Sequence, residues 1–325
     1  MRAAFYEKNG AASDVLQLAD VDTPRPGPGE VRVRLRASGV NPSDVKAREG
    51  RTRKIAYPRV IPHSDGAGDI DMVGDGVAQG RIGERVWVWN AQWKRAFGTC
   101  AEHVVLPAAL AVKLPEGTAY EAGACLGIPA MTAYQAVAVA GAAKGANILV
   151  SGGAGGVGHY AIQFAKTCGA TVLTTVSSEA KAKLAREAGA DHVIDYKREN
   201  VAERVMALTG KQGIDAVVEM DLAANAKLYP SILHARSTVA IYGTGSPEAA
   251  IPAQYLLVNA IALRFVYVYE LTFDERAAAI AAINRMLHDK SLINNVALTL
   301  PLKDIVAAHQ AVEQGKAAGN VVVTL

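Results

Sequence analysis

Cysteine is scarce in this chain. Cys100, Cys125 and Cys168 are the only three in 325 residues, and no two stand in a C-x-x-C pair. That argues against a disulfide framework and against a structural zinc site. Cys168 is expected in the core at the end of a helix, and Cys100 is the candidate exposed thiol. Long apolar runs are missing too, and none reaches the roughly 20 residues that span a bilayer. The opening MRAAFYEKNG reads as the start of a strand and not as a signal peptide. The expected location is therefore the cytoplasm. An excess of one charge sign is also absent. The net charge is +3 with its basic residues dispersed, too mild and too spread to imply nucleic acid. No basic patch is interleaved with aromatics, and there is neither an internal repeat nor a low-complexity tract.

Glycine is abundant, and one cluster of it organises the rest. Gly152, Gly153, Gly155, Gly156 and Gly158 crowd into seven positions. The short apolar run Ile148–Val150 precedes them as a buried parallel strand would. Val157, Ala161, Phe164 and Ala165 follow at helical spacing, and the β-branched stretch Thr171–Val176 reads as the next strand. Gly153, Gly155 and Gly158 form G-x-G-x-x-G. The first permits a tight turn, the second lets the backbone approach a pyrophosphate, and the third lets the helix pack on the strand. The free N–H groups of Gly153, Gly155, Gly156, Val157 and Gly158, with the positive end of the helix dipole, are expected to meet the phosphates.

The end of the second strand indicates which dinucleotide. NAD sites usually carry an acid there for the ribose 2′-hydroxyl. This chain has Thr174, Thr175, Val176, Ser177 and Ser178, with Lys181 and Lys183 just beyond. Hydroxyls and ammonium groups suit a 2′-phosphate, which a carboxylate would repel. NADPH is the expected cofactor, with Glu179 pointing to solvent; the other reading of the two lysines is a solvated helix face.

Around this core the chain reads as two domains. Residues 1–122 are mainly β, broken by glycine and proline into short strands as in a small distorted barrel. The V-R-V-R-L-R run from Val31 to Arg36 alternates as a half-buried strand with its arginines on a solvated face. Ala119–Ala143 is helical in spacing. Strands and helices then alternate at about 25-residue spacing, the doubly wound pattern. That alternation includes a helix at Leu228–His234 and a last apolar strand at Ala260–Val268. Phe273–Asp289 reads as a long amphipathic helix. The expected architecture is α/β: residues 123–267 a Rossmann-type nucleotide-binding domain, inserted into a β-rich domain of 1–122 and 268–325.

The motifs G-V-N-P-S-D (Gly39–Asp44), S-D-G-A-G (Ser64–Gly68) and G-E-R-V (Gly83–Val86) open a longer series. Y-E-A-G-A (Tyr120–Ala124), G-I-P-A-M-T-A-Y (Gly127–Tyr134), S-G-G-A-G-G-V-G (Ser151–Gly158) and A-G-A-D-H-V-I-D-Y (Ala188–Tyr196) complete it. In this order they resemble the zinc-independent quinone oxidoreductases, the zeta-crystallin branch of the medium-chain dehydrogenase/reductase superfamily. The resemblance implies a GroES-like catalytic domain, NADPH as hydride donor, and a homodimer or homotetramer. It implies that Asn41, Asp44 and Lys46 lie near the nicotinamide. It also implies Ser177, Lys181 and Tyr196 for the 2′-phosphate, Thr132 for the nicotinamide or phosphates, and Gly243 and Thr244 at the carboxyl edge of the sheet.

Relatives often carry tyrosine where this chain has Lys46. A protonated lysine there would stabilise a developing oxyanion, while Lys46 and Arg48 also read as a solvated helix face. Asp44 also reads as the cap of a helix opened by Pro42. Zinc-dependent relatives have a cysteine and a histidine where this chain has Asn41 or Pro42 and Ser64. His63, one place early, reads as a packed or hydrogen-bonded residue, and no metal is expected. The expected activity is reduction of a quinone by NADPH. The alternative is reduction of the C=C bond of an enone or enoyl thioester, for which relatives rely on a tyrosine that Asn41–Gly50 lacks. RNA binding or a lens-structural role, known among such relatives, is the remaining class. Arg51, Arg53, Lys54 and Arg59 form a basic run that reads as solvated loop or as an attractor of an anionic substrate.

Overall fold

The computed structural model describes residues 1–325. The chain divides into two compact units, Met1–Pro129 with Ile280–Leu325, and Ala130–Ala279.

The first unit is built on strands β1 (Arg2–Phe5), β2 (Gln17–Asp20), β3 (Glu30–Val40), β4 (Asp65–Val73), β5 (Arg85–Val88), β6 (His103–Pro107) and β7 (Ala111–Lys113). Its centre is β3, long enough to pair antiparallel with β4, with β6 and with a strand from the end of the chain. The alternation of β3 is real: Val31, Val33 and Leu35 are buried against Ile70, Val86, Val104 and Leu106. The arginines between them are more than solvated. Arg32 Nε is 2.9 Å from Asp71 and Arg36 Nε 3.2 Å from Asp69, cross-strand pairs that fix register more than they add stability.

The second unit carries β8 (Asn147–Val150), β9 (Thr171–Val176), β10 (His192–Asp195), β11 (Ile214–Glu219), β12 (Leu233–Ile241) and β13 (Ala262–Phe265). They form one parallel sheet in the order β10-β9-β8-β11-β12-β13. The chain starts in the middle, winds outward one way and then returns to wind the other. The reversal lies between β8 and β11, and in such sheets the crevice outside the carboxyl ends at that point takes the ligand. Leu149, Leu173, Ile194, Val217 and Val239 close the core, each fully buried aliphatic side chain stabilising by about 1.5–3 kcal/mol. The strands β14 (Val296–Pro301) and β15 (Asn320–Thr324) return to the first unit, where β15 completes the sheet beside β3.

Four expectations need correction. Ala119–Ala143 is not one helix: Tyr120–Gly123 and Met131–Ala140 are separated by a wide turn at Leu126–Ala130. Pro129 has no N–H to continue the ladder and its ring crowds the preceding turn. The helix expected over Leu228–His234 is only Tyr229–Ile232, because β12 already begins at Leu233. The last strand is shorter than expected, Ala262–Phe265. The cysteines are inverted, with Cys168 exposed and Cys100 fully buried. Cys168 caps a helix just beyond its last buried turn, whereas the backbone of Cys100 is stitched to Ala4 and Pro62. No helix is long and apolar enough to cross a membrane.

Candidate active site

The glycine turn follows β8 directly. Gly152 takes φ +70, and its N–H donates to Thr175 Oγ1 at 3.1 Å while Gly153 N–H donates to Thr175 O at 3.2 Å. A Cβ on Gly153 would sit 2.1 Å from Thr174 Oγ1, and one on Gly158 would sit 2.3 Å from Gly152 O. Any side chain at either place would push the helix off the strand. The helix Gly156–Thr167 starts with Gly155 as N-cap, and no side chain closes it. Its first N–H groups have no intrahelical acceptor, and Gly155, Gly156 and Val157 are half-exposed. This cradle fits a phosphate-bearing ligand by shape and by dipole.

At the end of β9 the same edge is cationic. Lys181 Nζ donates to Ser177 Oγ at 3.2 Å, and Ser178 caps the helix Glu179–Glu187. Glu179 is exposed and pairs with Arg186 at 2.7 Å. Lys183, 77% exposed and 3.9 Å from Glu187, lies on the solvated helix face. Lys183 thus takes the solvated-face reading. Tyr196 donates its N–H to Val176 O at 3.1 Å, one residue before Ser177, and is half-exposed at 53%; it is not core packing. Gly243, after β12, approaches Met220 so closely that a Cβ would lie 2.3 Å from Met220 O. Thr244 Oγ1 donates to Ser246 O at 2.8 Å. Thr132 is buried near the start of its helix.

A residue unassigned in the sequence completes this edge. Glu219, the last residue of β11, is buried and accepts hydrogen bonds from four groups. They are Ser151 Oγ at 3.3 Å, Asp221 N at 2.8 Å, Asn225 Nδ2 at 2.8 Å and Tyr229 OH at 3.1 Å. It ties the first residue of the glycine turn to the segment after β11. An acid ending the apolar run I-D-A-V-V-E was the available signal.

In the first unit, Asn41, Asp44 and Lys46 fall at the end of β3 and on the helix Pro42–Arg48. Asn41 N–H donates to Asp44 Oδ2 at 2.8 Å, so Asp44 does cap this helix. Asn41 Nδ2 donates to Asp65 Oδ2 at 2.7 Å, and Asp65 is pressed against Gly127, where a Cβ would come within 2.4 Å of Oδ1. All three polar side chains are buried. Burial pushes the Asp44 carboxyl up to about 7, against the backbone hydrogen bond of Asn41, and raises Asp65 well above the usual carboxylate range. Burial therefore favours the protonated form of the Asp65 carboxyl. Tyr6, distant in sequence, is raised to about 12 by burial and feels the charges of Arg53, Asp44 and Arg48.

Lys46 is half-buried. Arg48 is fully buried and not on a solvated face; its guanidinium binds Gly10 O and Glu313. The helix Ile305–Glu313 near the C-terminus supplies that glutamate and also His309.

His63 is buried with φ +77 and sits in a hydrogen-bond chain whose direction follows from its end. Thr99 Oγ1 donates to the Asp65 carbonyl, which can only accept. Ser38 Oγ, 2.8 Å from Thr99 Oγ1, must then donate to it. His63 Nδ1, 2.8 Å from Ser38 Oγ, donates in turn, and His63 Nε2 accepts from His309 Nε2 at 3.0 Å. His309 Nδ1 is left buried without a partner. Burial lowers His63 to about 3 and His309 well below the ordinary histidine range, the charge of Arg48 adding to the latter. His63 is thus the hydrogen-bonded residue the sequence suggests. Its partner His309 carries no local sequence signal.

A doubly wound parallel sheet with an anion-receptive glycine turn, and in the other unit a buried Asn–Asp cluster, place the chain among the two-domain nucleotide-dependent oxidoreductases. Residues 27–116 match the alcohol dehydrogenase GroES-like domain and residues 156–285 match the zinc-binding dehydrogenase domain. A mouse quinone oxidoreductase is 34% identical over 241 residues, 72% of this chain and 71% of the relative. A mycobacterial protein solved in complex with NADPH is 30% identical over the whole of both chains, with a TM-score of 0.89. A Burkholderia 2-haloacrylate reductase is 29% identical over 99% of this chain and 98% of its own. The chain belongs to the quinone oxidoreductase branch of the medium-chain dehydrogenase/reductase superfamily. Zinc, named in one domain description, does not fit the residues present: no three His, Cys, Asp or Glu side chains converge, and both His63 nitrogens are engaged by Ser38 and His309.

Proposed function

We propose that this protein is an NADPH-dependent, zinc-independent reductase whose acceptor is a quinone. The observation that carries the cofactor half is the Lys181–Ser177 pair at the acid-free end of β9, beside the glycine cradle. Gly153, Gly155, Gly156, Val157 and Gly158 would hold the pyrophosphate. Ser177, Lys181 and Tyr196 would hold the 2′-phosphate, with Thr132, Gly243 and Thr244 contributing to the rest. The NADPH-bound mycobacterial relative, similar over its full length, supports the choice of NADPH.

NADPH supplies a hydride, and a quinone that takes it together with one proton leaves as hydroquinone, with NADP⁺ as the other product. The residues proposed for the acceptor are Asn41, Asp44 and Lys46. Asn41 is oriented by Asp65, and its role is to position the acceptor. Lys46 offers positive charge to the oxyanion that follows hydride transfer. Asp44, titrating near 7, sets an electrostatic background that changes over the working pH range.

The second reading is hydride addition to the β-carbon of a conjugated C=C bond with a solvent proton added at the α-carbon, supported by the 2-haloacrylate reductase relative. NADPH oxidation with 1,4-naphthoquinone and with but-3-en-2-one, and identification of the products, separates the two. Turnover with neither sinks both. We also read the protein as a homodimer assembled on the open edge of β13, where Leu257, Val258 and Phe265 are 80, 72 and 73% exposed. Sedimentation of Phe265→Glu as a monomer, against a dimeric parent, tests it.

A further inference from the structure

Of the basic run after the helix Pro42–Arg48, two arginines are spent on neighbouring acids. Arg51 lies 3.6 Å from Glu49, and Arg59 lies 2.8 Å from Glu7. Arg53 differs, because the two side chains it touches are neutral, although its charge is felt by the Asp44 carboxyl: Gln92 Oε1 accepts from it, and its guanidinium carbon lies 5.4 Å from the centre of the Trp93 ring. Gln92 is itself buried, and its amide is locked by Nε2 donating to Arg95 O at 2.8 Å. A guanidinium carries five N–H donors in a planar fork. Held by one buried amide and stacked on an indole, most of that fork is left for something else.

Its position follows from the backbone. Ala91 N–H donates to Ser64 O at 3.1 Å. Gln92 is therefore one residue from a direct link to the strand start that carries Asp65, the partner of Asn41. The backbone here is strained as well. His63, Asn90 and Lys94, none a glycine, take φ +77, +51 and +57 in the two segments that meet at this point. Such conformations cost free energy and persist where the surroundings impose them, commonly at ligand sites.

We propose that Arg53 is the specificity-determining residue of the candidate acceptor site, and that the physiological acceptor carries a carboxylate conjugated with, or adjacent to, its reducible carbonyl. This rests on the reading of Asn41 and its neighbours as the acceptor site. A flat, pre-ordered fork matches a carboxylate through two parallel hydrogen bonds. The rival source of negative charge is the phosphate of an enoyl-coenzyme A thioester.

The test compares kcat/KM for 3-benzoylacrylate, for its methyl ester, and for crotonyl-coenzyme A, in the parent protein and in R53M and R53K. The parent prefers the acid to the ester. R53M reduces the acid-to-ester ratio by about 30-fold, the size of a charge-assisted hydrogen bond, through KM more than kcat, and R53K restores part of it. Inhibition of naphthoquinone reduction by the saturated acid 3-benzoylpropionate falls in parallel, without relying on turnover of the enone. An unchanged acid-to-ester ratio in R53M overturns the proposal. So does a parent preference for the ester, or an R53M defect confined to crotonyl-coenzyme A. If 1,4-naphthoquinone is reduced and the acid gains nothing from Arg53, only this inference fails. If NADPH is oxidised with none of these compounds, the acceptor-site reading itself fails.

Discussion

Each unit buries a carboxyl group at the end of a strand, and the two are treated oppositely. Glu219 closes β11 surrounded by donors: a hydroxyl, a backbone N–H, an amide and a phenol all point at it. Asp65 opens β4 with the amide of Asn41 for company and with the Asp44 carboxyl near enough to raise it further. The first has the water it lost on burial replaced by four fixed donors. The second is pushed towards its protonated form, because its burial disfavours the ion more than the Asn41 amide favours it. The difference follows from topology. At the carboxyl edge of a parallel sheet, turns and helix starts collect unpaired N–H groups, so that edge welcomes negative charge. In the β-rich unit the polar groups close upon one another, from His309 to the Asp65 carbonyl.

The sharpest way to break the contrast is to fill the cradle at the receptive edge. Gly158→Ala places a carbon 2.3 Å from Gly152 O, backbone against backbone, which neither side can relieve by a rotamer change. NADPH affinity measured by calorimetric titration is expected to fall more than about 100-fold, or about 3 kcal/mol. Gly80→Ala, where a Cβ meets nothing within 4 Å, serves as the control that must bind normally.

Next come the two acids themselves. Glu219→Ala leaves four donors facing a void and is expected to cost about 3 kcal/mol in denaturant unfolding. Asp65→Asn replaces a carboxyl whose ionised form burial disfavours by a neutral amide of the same shape and is expected to cost under about 1 kcal/mol. A larger loss for Asp65→Asn than for Glu219→Ala would invert the comparison.

The pH dependence of stability sharpens it further. Asp44 in the folded protein titrates near 7, far above an unfolded aspartate. Between about pH 4 and 7 the folded state holds a proton that the unfolded state has released, so stability falls as pH rises. Asp44→Asn removes that slope, and its stability relative to the parent is expected to climb by about 3 kcal/mol from pH 4 to 7. His63, lowered to about 3, acts in the opposite sense. The unfolded chain takes up its proton below about 6.5 while the folded chain does not, so the histidine contribution is lost as pH falls. A parallel pair of curves for parent and Asp44→Asn would contradict the buried acid.

The two regions also differ in how much of them the sequence discloses. The glycine cradle and the Ser177–Lys181 pair are local: every group lies within about 30 residues of the next, and spacing alone conveys the chemistry. The helix cap at Asn41 and Asp44 is local too, and it too is readable. Asp65 stands in a motif but acquires its meaning from Asn41, 24 residues earlier. His309 reaches His63 across 246 residues. No periodicity conveys such a contact, because it depends on β15 closing beside β3. Arg53 is visible as one of several cations, and only three-dimensional pairing separates it from Arg51 and Arg59. The cysteines fail for a related reason: position along a helix or strand does not say whether the last turn is covered. The helix expected across Pro129 fails because one missing N–H outweighs a run of alanines.

The smallest effect tests the two lysines at the receptive edge. Lys181 touches Ser177 at 3.2 Å, whereas Lys183 is 77% exposed and turned to Glu187. An ammonium on a 2′-phosphate is a charge-assisted contact, partly screened because this edge is open to solvent. Lys181→Ala is accordingly expected to weaken NADPH about tenfold, close to 1.4 kcal/mol. NADH has no 2′-phosphate to lose, so its dissociation constant in the same variant stays within about twofold of the parent. Lys183→Ala leaves both constants where they were. Equal weakening of NADPH and NADH by Lys181→Ala would move this residue from nucleotide discrimination to holding the edge in shape.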